Sequence, residues 1–516
     1  MQPRGRLYNR CSRSFSRTRI AIHSTTRVTM TKFWQEHSEQ ATVEEMMLDS
    51  NAKIISREEV PEILATLPAL GGLRVLELGA GIGRYTQHLV KVASQVTAVD
   101  FMQKFLDKNK EDNGHHGNAE FLQADAMQLD FPKNSFDLVF SNWLFMYLSD
   151  TELLSLAGRM LDWLSPGGFL FFRESCFHQS GDSDRNFNPT LYRSPSQYNH
   201  LLTSVEQDDP ASGDAQGSGF EIVMNKSVQT YIKMKKNQNQ LCWLLQKVRR
   251  NCSANQGFAT FQQFLDSQQY SRRGILRYEK IFGRGFISTG GARTTEEFVD
   301  MLALNPGQRV LDVGCGIGGG DFYMARKFGA SVLGIDLSFN MVEIAMERSV
   351  EENLPSVQFE VGDATRRLFP ECSFDVVYSR DTILHIADKL ALFKQFYLWL
   401  KPGGKLLISD YCCGEKPWAP AFQDYVKQRG YILYTPPQYG KFLEEAGFGR
   451  VRAEDRTAQF VEVIKEELGR AETLREEFIQ EFSEEDYSYI VKGWREKLQR
   501  CEQGDQRWGL FYAERL

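Results

Sequence analysis

The sequence predicts an α/β protein made of two tandem domains, each a mostly parallel sheet flanked by helices, and three observations carry that prediction. The first is Val310-Leu311-Asp312-Val313-Gly314-Cys315-Gly316-Ile317-Gly318-Gly319-Gly320, which reads as a buried strand, a glycine turn and the start of a helix. Gly314, Gly316 and Gly318 permit a tight turn, and without Cβ atoms they let a ligand lie against the backbone. The second is the strand Val332-Leu333-Gly334-Ile335, which ends in Asp336. An acid about 20 residues past such a turn is placed to hold a ribose hydroxyl pair. The third is that the unit recurs: Arg74-Val75-Leu76-Glu77-Leu78-Gly79-Ala80-Gly81-Ile82-Gly83-Arg84, then Gln95-Val96-Thr97-Ala98-Val99-Asp100. The agreement runs on through Phe121–Ala126 and Phe359–Ala364, Ser135–Ser141 and Ser373–Ser379, and Trp163–Gly168 and Trp399–Gly404. This is duplication of a whole domain, far longer than a solenoid repeat. Alternation of strands and helices in each copy makes both Rossmann-like.

Composition narrows the class. A chain of 516 residues suits two or three domains, and 42% hydrophobic with 25% charged residues is ordinary for a soluble globular protein. A net charge of −6 argues against a nucleic-acid partner, and no apolar run is long enough to cross a bilayer. The nine cysteines show no C-x-x-C spacing, which fits free thiols in a reducing compartment and gives no zinc site. Cys176, Cys315 and Cys412, near strand ends, read as small buried packing residues.

Residues 1–29 stand apart. They carry Arg4, Arg6, Arg10, Arg13, Arg17, Arg19 and Arg27 and no acid, the composition of a mitochondrial transit peptide or of a disordered leader ahead of a working start at Met30. The expected division is a leader at 1–29, a first domain at 30–255 and a second at 256–516. The expected setting is the cytoplasm, or the mitochondrion if the leader is a targeting signal. Thr42 followed by Glu45 is a capping box, and a further helix is expected near Glu58–Leu67. Between the halves, Glu206–Pro210 and Gly213–Gly219 read as a mobile polar loop, and Phe220–Trp243 as two strands and a helix completing the first sheet. The basic run at Lys233–Lys236 reads as a solvated face, and residues 460–505 as charged helices packed over the second site.

Glu77 and Asp312 lie on the first strand of each copy, just ahead of the glycines. A negative charge there suits a ligand with an amino or sulfonium cation, and suits a dinucleotide pyrophosphate poorly. The spacing G-x-G-x-G also departs from the dinucleotide pattern. Asp100 and Asp336 are placed for ribose hydroxyls, and Asp125 and Asp363 for an adenine amino group. Asp137 and Asp375 read as structural. Asn142 and Arg380 end the fourth strands, where cofactor would meet substrate. The block order resembles the class I S-adenosylmethionine-dependent methyltransferases in both halves. The resemblance implies that S-adenosyl-L-methionine is held by Glu77, Gly79, Gly81, Arg84, Asp100, Asp125, Ala126 and Asn142 in the first half. In the second it implies Ile287, Ser288, Asp312, Gly314, Gly316, Asp336, Leu337, Asp363, Ala364 and Arg380.

The flanking segments are more specific. Thr42–Ser50, Phe172–Ser183, Asn188-Pro189-Thr190, Lys236–Gln240, Tyr278–Gly291, Ser379–His385, Ser409–Cys412 and Tyr425–Tyr431 resemble the tandem phosphoethanolamine N-methyltransferases of plants, with relatives in malaria parasites and nematodes. The likeness covers nearly everything from Met30 onward. It implies three successive methylations of phosphoethanolamine to phosphocholine, without a metal; a monomer is the separate expectation for the chain. It makes Tyr270 and His385 the pair that closes the site and helps deprotonate the amine, with Asp381, one helical turn before His385, orienting the ammonium. Alone, His385 would read as a buried structural histidine. Gln269, Tyr278, Tyr411, Tyr425, Arg429, Tyr431 and Lys497 match the family's phosphobase contacts. Arg429 and Lys497 supply charge for a phosphate, and the tyrosines an aromatic wall for a methylammonium.

The first half lacks these motifs. Its fourth strand ends in Asn142-Trp143-Leu144-Phe145-Met146-Tyr147. The resemblance gives Ser175, Ser180, Gly181 and Tyr192 as its phosphobase contacts. His178, Arg185 and Arg193 are weaker candidates, the arginines reading otherwise as surface charges. The different pocket implies divided labour, the first step in the N-terminal domain and the later ones in the C-terminal domain. The alternative is one catalytic half and one binding or regulatory half. A third reading, an apolar acceptor such as a sterol or quinone, gives no reason for Arg429 and Lys497 to face inward.

Overall fold

The structure, a computed structural model, describes residues 29–37, 39–182, 187–208, 217–250, 261–352 and 354–516. The expected leader, apart from Thr29, lies outside the described residues, as do the 255/256 boundary and Arg185. Two compact units are present, residues 29–222 with 228–250, and 223–227 with 261–516. No described helix is long and apolar enough to cross a membrane.

In the first unit, β1 (Arg74–Leu78) pairs in parallel with β2 (Gln95–Asp100) on one side and with β4 (Phe136–Asn142) on the other. Outside them, β3 (Ala119–Gln123) adds to β2 and β5 (Leu164–Ser175) to β4, both in parallel. The short β6 (Glu206–Asp208) pairs antiparallel with the start of β7 (Gly217–Ser227), whose last five residues belong to the second unit, and β8 (Gln240–Arg250) runs antiparallel along β5. The chain winds outward both ways from the β1/β4 boundary, so the loops after these strands diverge and open a crevice at their carboxyl ends. Both faces of the sheet are covered, which is why Val75, Leu76, Leu138, Val139 and Phe140 form uninterrupted apolar runs and are all buried. Phe172 stacks on Trp243 at 4.5 Å and Phe140 on Phe171 at 4.9 Å.

The second unit repeats the plan. β9 (Arg309–Val313) lies between β10 (Ser331–Asp336) and β12 (Phe374–Arg380), flanked by β11 (Val357–Gly362) and β13 (Leu400–Cys413), all parallel. β14 (Gly449–Asp455) is followed by the helices Thr457–Thr473, Arg475–Glu481 and Glu484–Glu502, the charged helices expected there. The last strand, β15 (Gln506–Glu514), then inserts between β13 and β14, antiparallel to both. A helix, Arg272–Phe282, starts just after Tyr270 with Ser271 as its cap. Its Arg273 donates to Asp486 at 3.0 Å and its Lys280 to Glu481 at 2.9 Å, fastening it to the helices near the C-terminus.

Asp137 and Asp375 are structural, as expected. Asp137 takes Arg74 side-on, at 3.1 Å from Nε and 2.9 Å from the terminal nitrogen. Asp375 takes Lys401 at 2.8 and 2.9 Å. The same carboxylate fastens equivalent strand starts with a different cation. The capping box at Thr42 and Glu45 is present.

Four expectations are corrected. The helix near Glu58–Leu67 starts earlier, at Ala52–Leu64. Part of the expected loop at 206–219 is strand, because Glu206, Gln207 and Asp208 find backbone partners in Gly219, Ser218 and Gly217; residues 209–216 lie outside the description. Arg193 is not a surface charge: it is buried, with Asp150 at 2.8 Å and the Phe145 carbonyl at 3.0 Å as acceptors. Asp381 is not one helical turn before His385, since it has a left-handed φ of 49° and the only helix there is the short turn Ile383–His385.

Candidate active sites

The two halves build the same cleft from the same atoms. Asp336 accepts the Gly316 amide at 3.0 Å and the Ser338 amide at 2.8 Å. Asp100 accepts the Gly81 and Met102 amides, each at 2.8 Å. Each acid thus reaches back from the end of the second strand to brace the glycine turn after the first. Burial raises both carboxyls to about 6. Gly314 has φ 83°, and a Cβ there would run into the Thr382 side chain.

The acids on the first strands are set differently. Glu77 takes the Thr86 hydroxyl at 2.5 Å, and burial raises it to about 8. Thr86 is replaced by Asp321 in the second copy. Burial, then the nearby Asp321 carboxyl, pushes Asp312 well above the ordinary carboxylate range, and burial lifts Asp321 to about 7. The Asp312 Oδ1 is buried without a hydrogen-bond partner, as are Nε and one terminal nitrogen of Arg84. In the second half the orphaned acceptor fits an ammonium, and in the first half the orphaned Arg84 donors fit a carboxylate; S-adenosylmethionine carries both groups on a nucleoside.

In the second half, a cavity of about 690 Å³ is lined by Ile287, Ser288, Asp312, Gly314, Gly316, Asp336, Leu337, Asp363, Ala364 and Arg380. Beside it lies a second, of about 560 Å³, lined by Gln269, Tyr278, Tyr411, Tyr425, Arg429, Tyr431 and Lys497. Tyr270, Ile287, Asp381 and His385 line both. Every candidate named from sequence in this half is therefore brought to one double chamber.

Arg380 is less free than its place suggests. It is buried and donates to Ser409 at 2.7 Å, Thr289 O at 2.7 Å, Thr294 at 2.9 Å and Thr295 at 3.1 Å, so it shapes the cleft floor. Asp381 accepts from the Thr289 amide at 3.1 Å and the Trp508 indole at 2.9 Å. The His385 ring meets Tyr431 edge-on at 5.1 Å, and its Nδ1 is buried without a partner. Burial first, then the cations Lys389 and Arg429, lower His385 to about 4, so it is a neutral imidazole at neutral pH.

Among the described residues neither Arg429 nor Lys497 has a carboxylate ion-pair partner. Arg429 donates to Tyr489 at 3.3 Å and Lys497 to Tyr411 at 3.2 Å. Lys497 Nζ lies 4.2 Å from the Trp494 ring, and burial lowers it to about 8. Burial also raises the hydroxyls of Tyr270, Tyr411 and Tyr431, which stay protonated donors.

The first half holds a smaller cavity, about 100 Å³, lined by Glu77, Gly79, Gly81, Arg84, Asp100, Asn142, Ser175, Ser180, Gly181 and Tyr192. Asp125 and Ala126 are not on its wall; Asp125 caps the turn Ala126–Gln128 through the Met127 amide at 2.9 Å. Arg84 is ion-paired with buried Glu59, which also takes Arg173 at 2.7 Å. Asn142 accepts from Arg173 at 3.1 Å, and Tyr192 from Asn188 at 3.0 Å. His178 is exposed and bonded to Asn239.

Sequence reasoning missed Arg500, Glu467 and Gln240. Arg500 lines the 560 Å³ chamber, its guanidinium 3.8 Å from the Tyr425 ring, and its spacing of three from Lys497 on a helix was the available signal. Glu467 accepts the Gly290 amide at 2.8 Å and the Trp494 indole at 2.7 Å. Gln240 binds Ser180 and Trp143 from far along the chain; the segment Lys236–Gln240 marked it as part of the resemblance but gave it no role.

Residues 75–168 and 310–404 each match the family model described as a methyltransferase domain. Fold and clefts together define an S-adenosylmethionine-dependent methyltransferase, present twice. Phosphoethanolamine N-methyltransferase 3 of Arabidopsis thaliana is 53% identical over 498 residues, 96% of this chain and 100% of that protein. Phosphoethanolamine N-methyltransferase of Plasmodium falciparum is 40% identical over 253 residues, 48% of this chain and 94% of that one. A solved structure of phosphoethanolamine N-methyltransferase 2 of Haemonchus contortus, in complex with phosphomonomethylethanolamine and S-adenosylhomocysteine, matches with a TM-score of 0.73 at 27% identity, over 89% of this chain and 98% of that one. The chain belongs to the phosphoethanolamine N-methyltransferase family.

Proposed function

We propose that the chain methylates phosphoethanolamine successively, through the mono- and dimethyl forms, to phosphocholine, with the first step in the N-terminal half and the later steps in the C-terminal half. The observation that carries this is the second chamber: two cations without carboxylate ion-pair partners among the described residues, Arg429 and Lys497, behind a wall of tyrosines, next to a nucleoside cleft with which it shares Tyr270, Asp381 and His385. A phosphate is the group such cations accept, and a methylammonium is what the aromatic wall accepts.

The methyl donor supplies an electrophilic sulfonium methyl; the protein must deliver a neutral amine in line with it. His385 is neutral and lies at the junction, where it takes the proton from the ammonium. A bound phosphate dianion offsets Arg429, one of the two cations that lower His385, and so raises it, which couples substrate binding to basicity. Tyr270, just ahead of the helix Arg272–Phe282, closes the junction from that side. Asp381 faces both chambers and holds the cationic amine.

Purified chain given S-adenosylmethionine and phosphoethanolamine should yield the mono-, di- and trimethyl products in succession by mass spectrometry. Methylation of neither phosphoethanolamine nor its monomethyl form would refute the reading. A second reading, that the first half only binds, is favoured by its cavity of about 100 Å³, below the ~300 Å³ of ordinary ligand sites. It predicts that loss of the second cofactor cleft abolishes every step.

A further inference from the structure

Gln240 is the first residue of β8, 1% exposed, and its carboxamide makes three hydrogen bonds. Trp143 Nε1 donates to its Oε1 at 2.8 Å. Its Nε2 donates to Ser180 Oγ at 2.6 Å and also to Ser175 Oγ. An indole N–H can only donate, so Trp143 decides which end of the carboxamide is oxygen. The nitrogen end then spends one N–H on each serine oxygen. A hydroxyl has one proton, and with its oxygen already accepting, that proton points elsewhere. Among the described residues neither serine hydroxyl has an acceptor. Ser175, Ser180, Gln240 and Trp143 all border the first-half cavity.

Trp143 is held firmly enough for this role. It has a left-handed φ of 59°, costly for a bulky residue, and it stands where Asp381, φ 49°, stands in the second copy. The Arg173 guanidinium lies 3.8 Å from its ring centre.

We propose that Gln240, oriented by Trp143, sets the Ser175 and Ser180 hydroxyls as paired donors for an acceptor-only phosphomonoester, and is the positioning residue of the first-half phosphobase site. This rests on the reading that the first half binds phosphoethanolamine. It also explains how that half can hold a phosphate without counterparts of Arg429 and Lys497. In Gln240→Glu a carboxylate oxygen replaces the donating nitrogen. The serine protons turn to it, and the cavity loses both donors and gains a negative charge.

The test uses the full chain carrying Arg429→Gln, which weakens the second phosphate site, with saturating S-adenosylhomocysteine. Equilibrium dialysis should find one phosphoethanolamine site, weakened about thirtyfold by adding Gln240→Glu, with S-adenosylhomocysteine affinity changed less than about twofold. In turnover by the same chains, KM for phosphoethanolamine should rise by a similar factor and kcat by contrast stay within about threefold. Phosphoethanolamine affinity within about twofold of the parent, or a loss in kcat at constant KM, overturns the proposal. No site in the Arg429→Gln chain overturns the first-half reading itself, a distinguishable result. Trp143→Phe, which frees the carboxamide to turn without adding charge, should weaken binding about tenfold; no change there overturns the proposal even if Gln240→Glu misfolds.

Discussion

The Asp381 carboxylate accepts the backbone amide of Thr289 at 3.1 Å, joining the end of β12 to the segment that borders the cofactor cleft. The other oxygen takes the Trp508 indole at 2.9 Å. The Ser409 hydroxyl also donates to it at 3.4 Å; all three partners are neutral, so the acid is held in place and its charge is left for a ligand. The same left-handed position in the first half carries Trp143. One copy thus offers an anion at the junction of cleft and substrate pocket, and the other an indole, which is a chemical difference suited to amines at different stages of methylation.

Asp381→Asn keeps the shape and one acceptor but removes the charge. Steady-state turnover of phosphomonomethylethanolamine should fall about 10- to 100-fold in kcat/KM, measured at a temperature where thermal melts show the variant fully folded. An unchanged kcat/KM would remove Asp381 from the account.

Burial lowers Lys497 to about 8, so its charge is lost as pH rises through that value. The kcat/KM for the monomethyl substrate, which reports the free enzyme, should decline above pH 8. Lys497→Arg, whose guanidinium does not titrate there, should flatten that limb. A decline of the same shape in both would assign it to another group.

His385 has a folded value of about 4 against 6.5 unfolded. The unfolded chain binds the extra proton between these values, so the contribution to stability is complete above 6.5 and is lost as pH falls toward 4. The size is at most about 3 kcal/mol. His385→Asn should make the thermal midpoint of the second half less sensitive to acid over that window. Identical acid sensitivity in the two proteins would mean that His385 is not buried as described.

The cofactor clefts carry raised acids: Glu77 near 8, and Asp100 and Asp336 near 6. A cationic ligand must find these ionised, so affinity for S-adenosylmethionine should rise between pH 6 and 8, by about tenfold by calorimetry. Thr86→Val removes a donor that holds Glu77 down, and should shift the first-half dependence to higher pH. Affinity independent of pH in this range would contradict the raised values.

Much of this was legible because the domain is written twice. Asp100 and Asp336 announced their place by distance from the glycines, and the structure puts both on the turn amides. What escaped was set by contacts between distant residues. Arg380 reads as a pocket residue, yet its partners Thr289, Thr294 and Thr295 are about 90 residues upstream and tie it into the floor. Gln240 meets Ser175 across 65 residues and Trp143 across 97. The strand at Glu206–Asp208 was hidden by its polar composition, since a short edge strand needs backbone partners more than apolar side chains.

The central claim is that the two halves do different steps, and the most direct measurement is the product profile of Asp100→Ala and Asp336→Ala, compared by mass spectrometry with phosphoethanolamine and with its monomethyl form as starting substrates. The account predicts that Asp336→Ala converts phosphoethanolamine to the monomethyl product and stops. It predicts that Asp100→Ala leaves phosphoethanolamine untouched but carries the monomethyl form on to phosphocholine. Equal loss of every step in both variants would contradict divided labour.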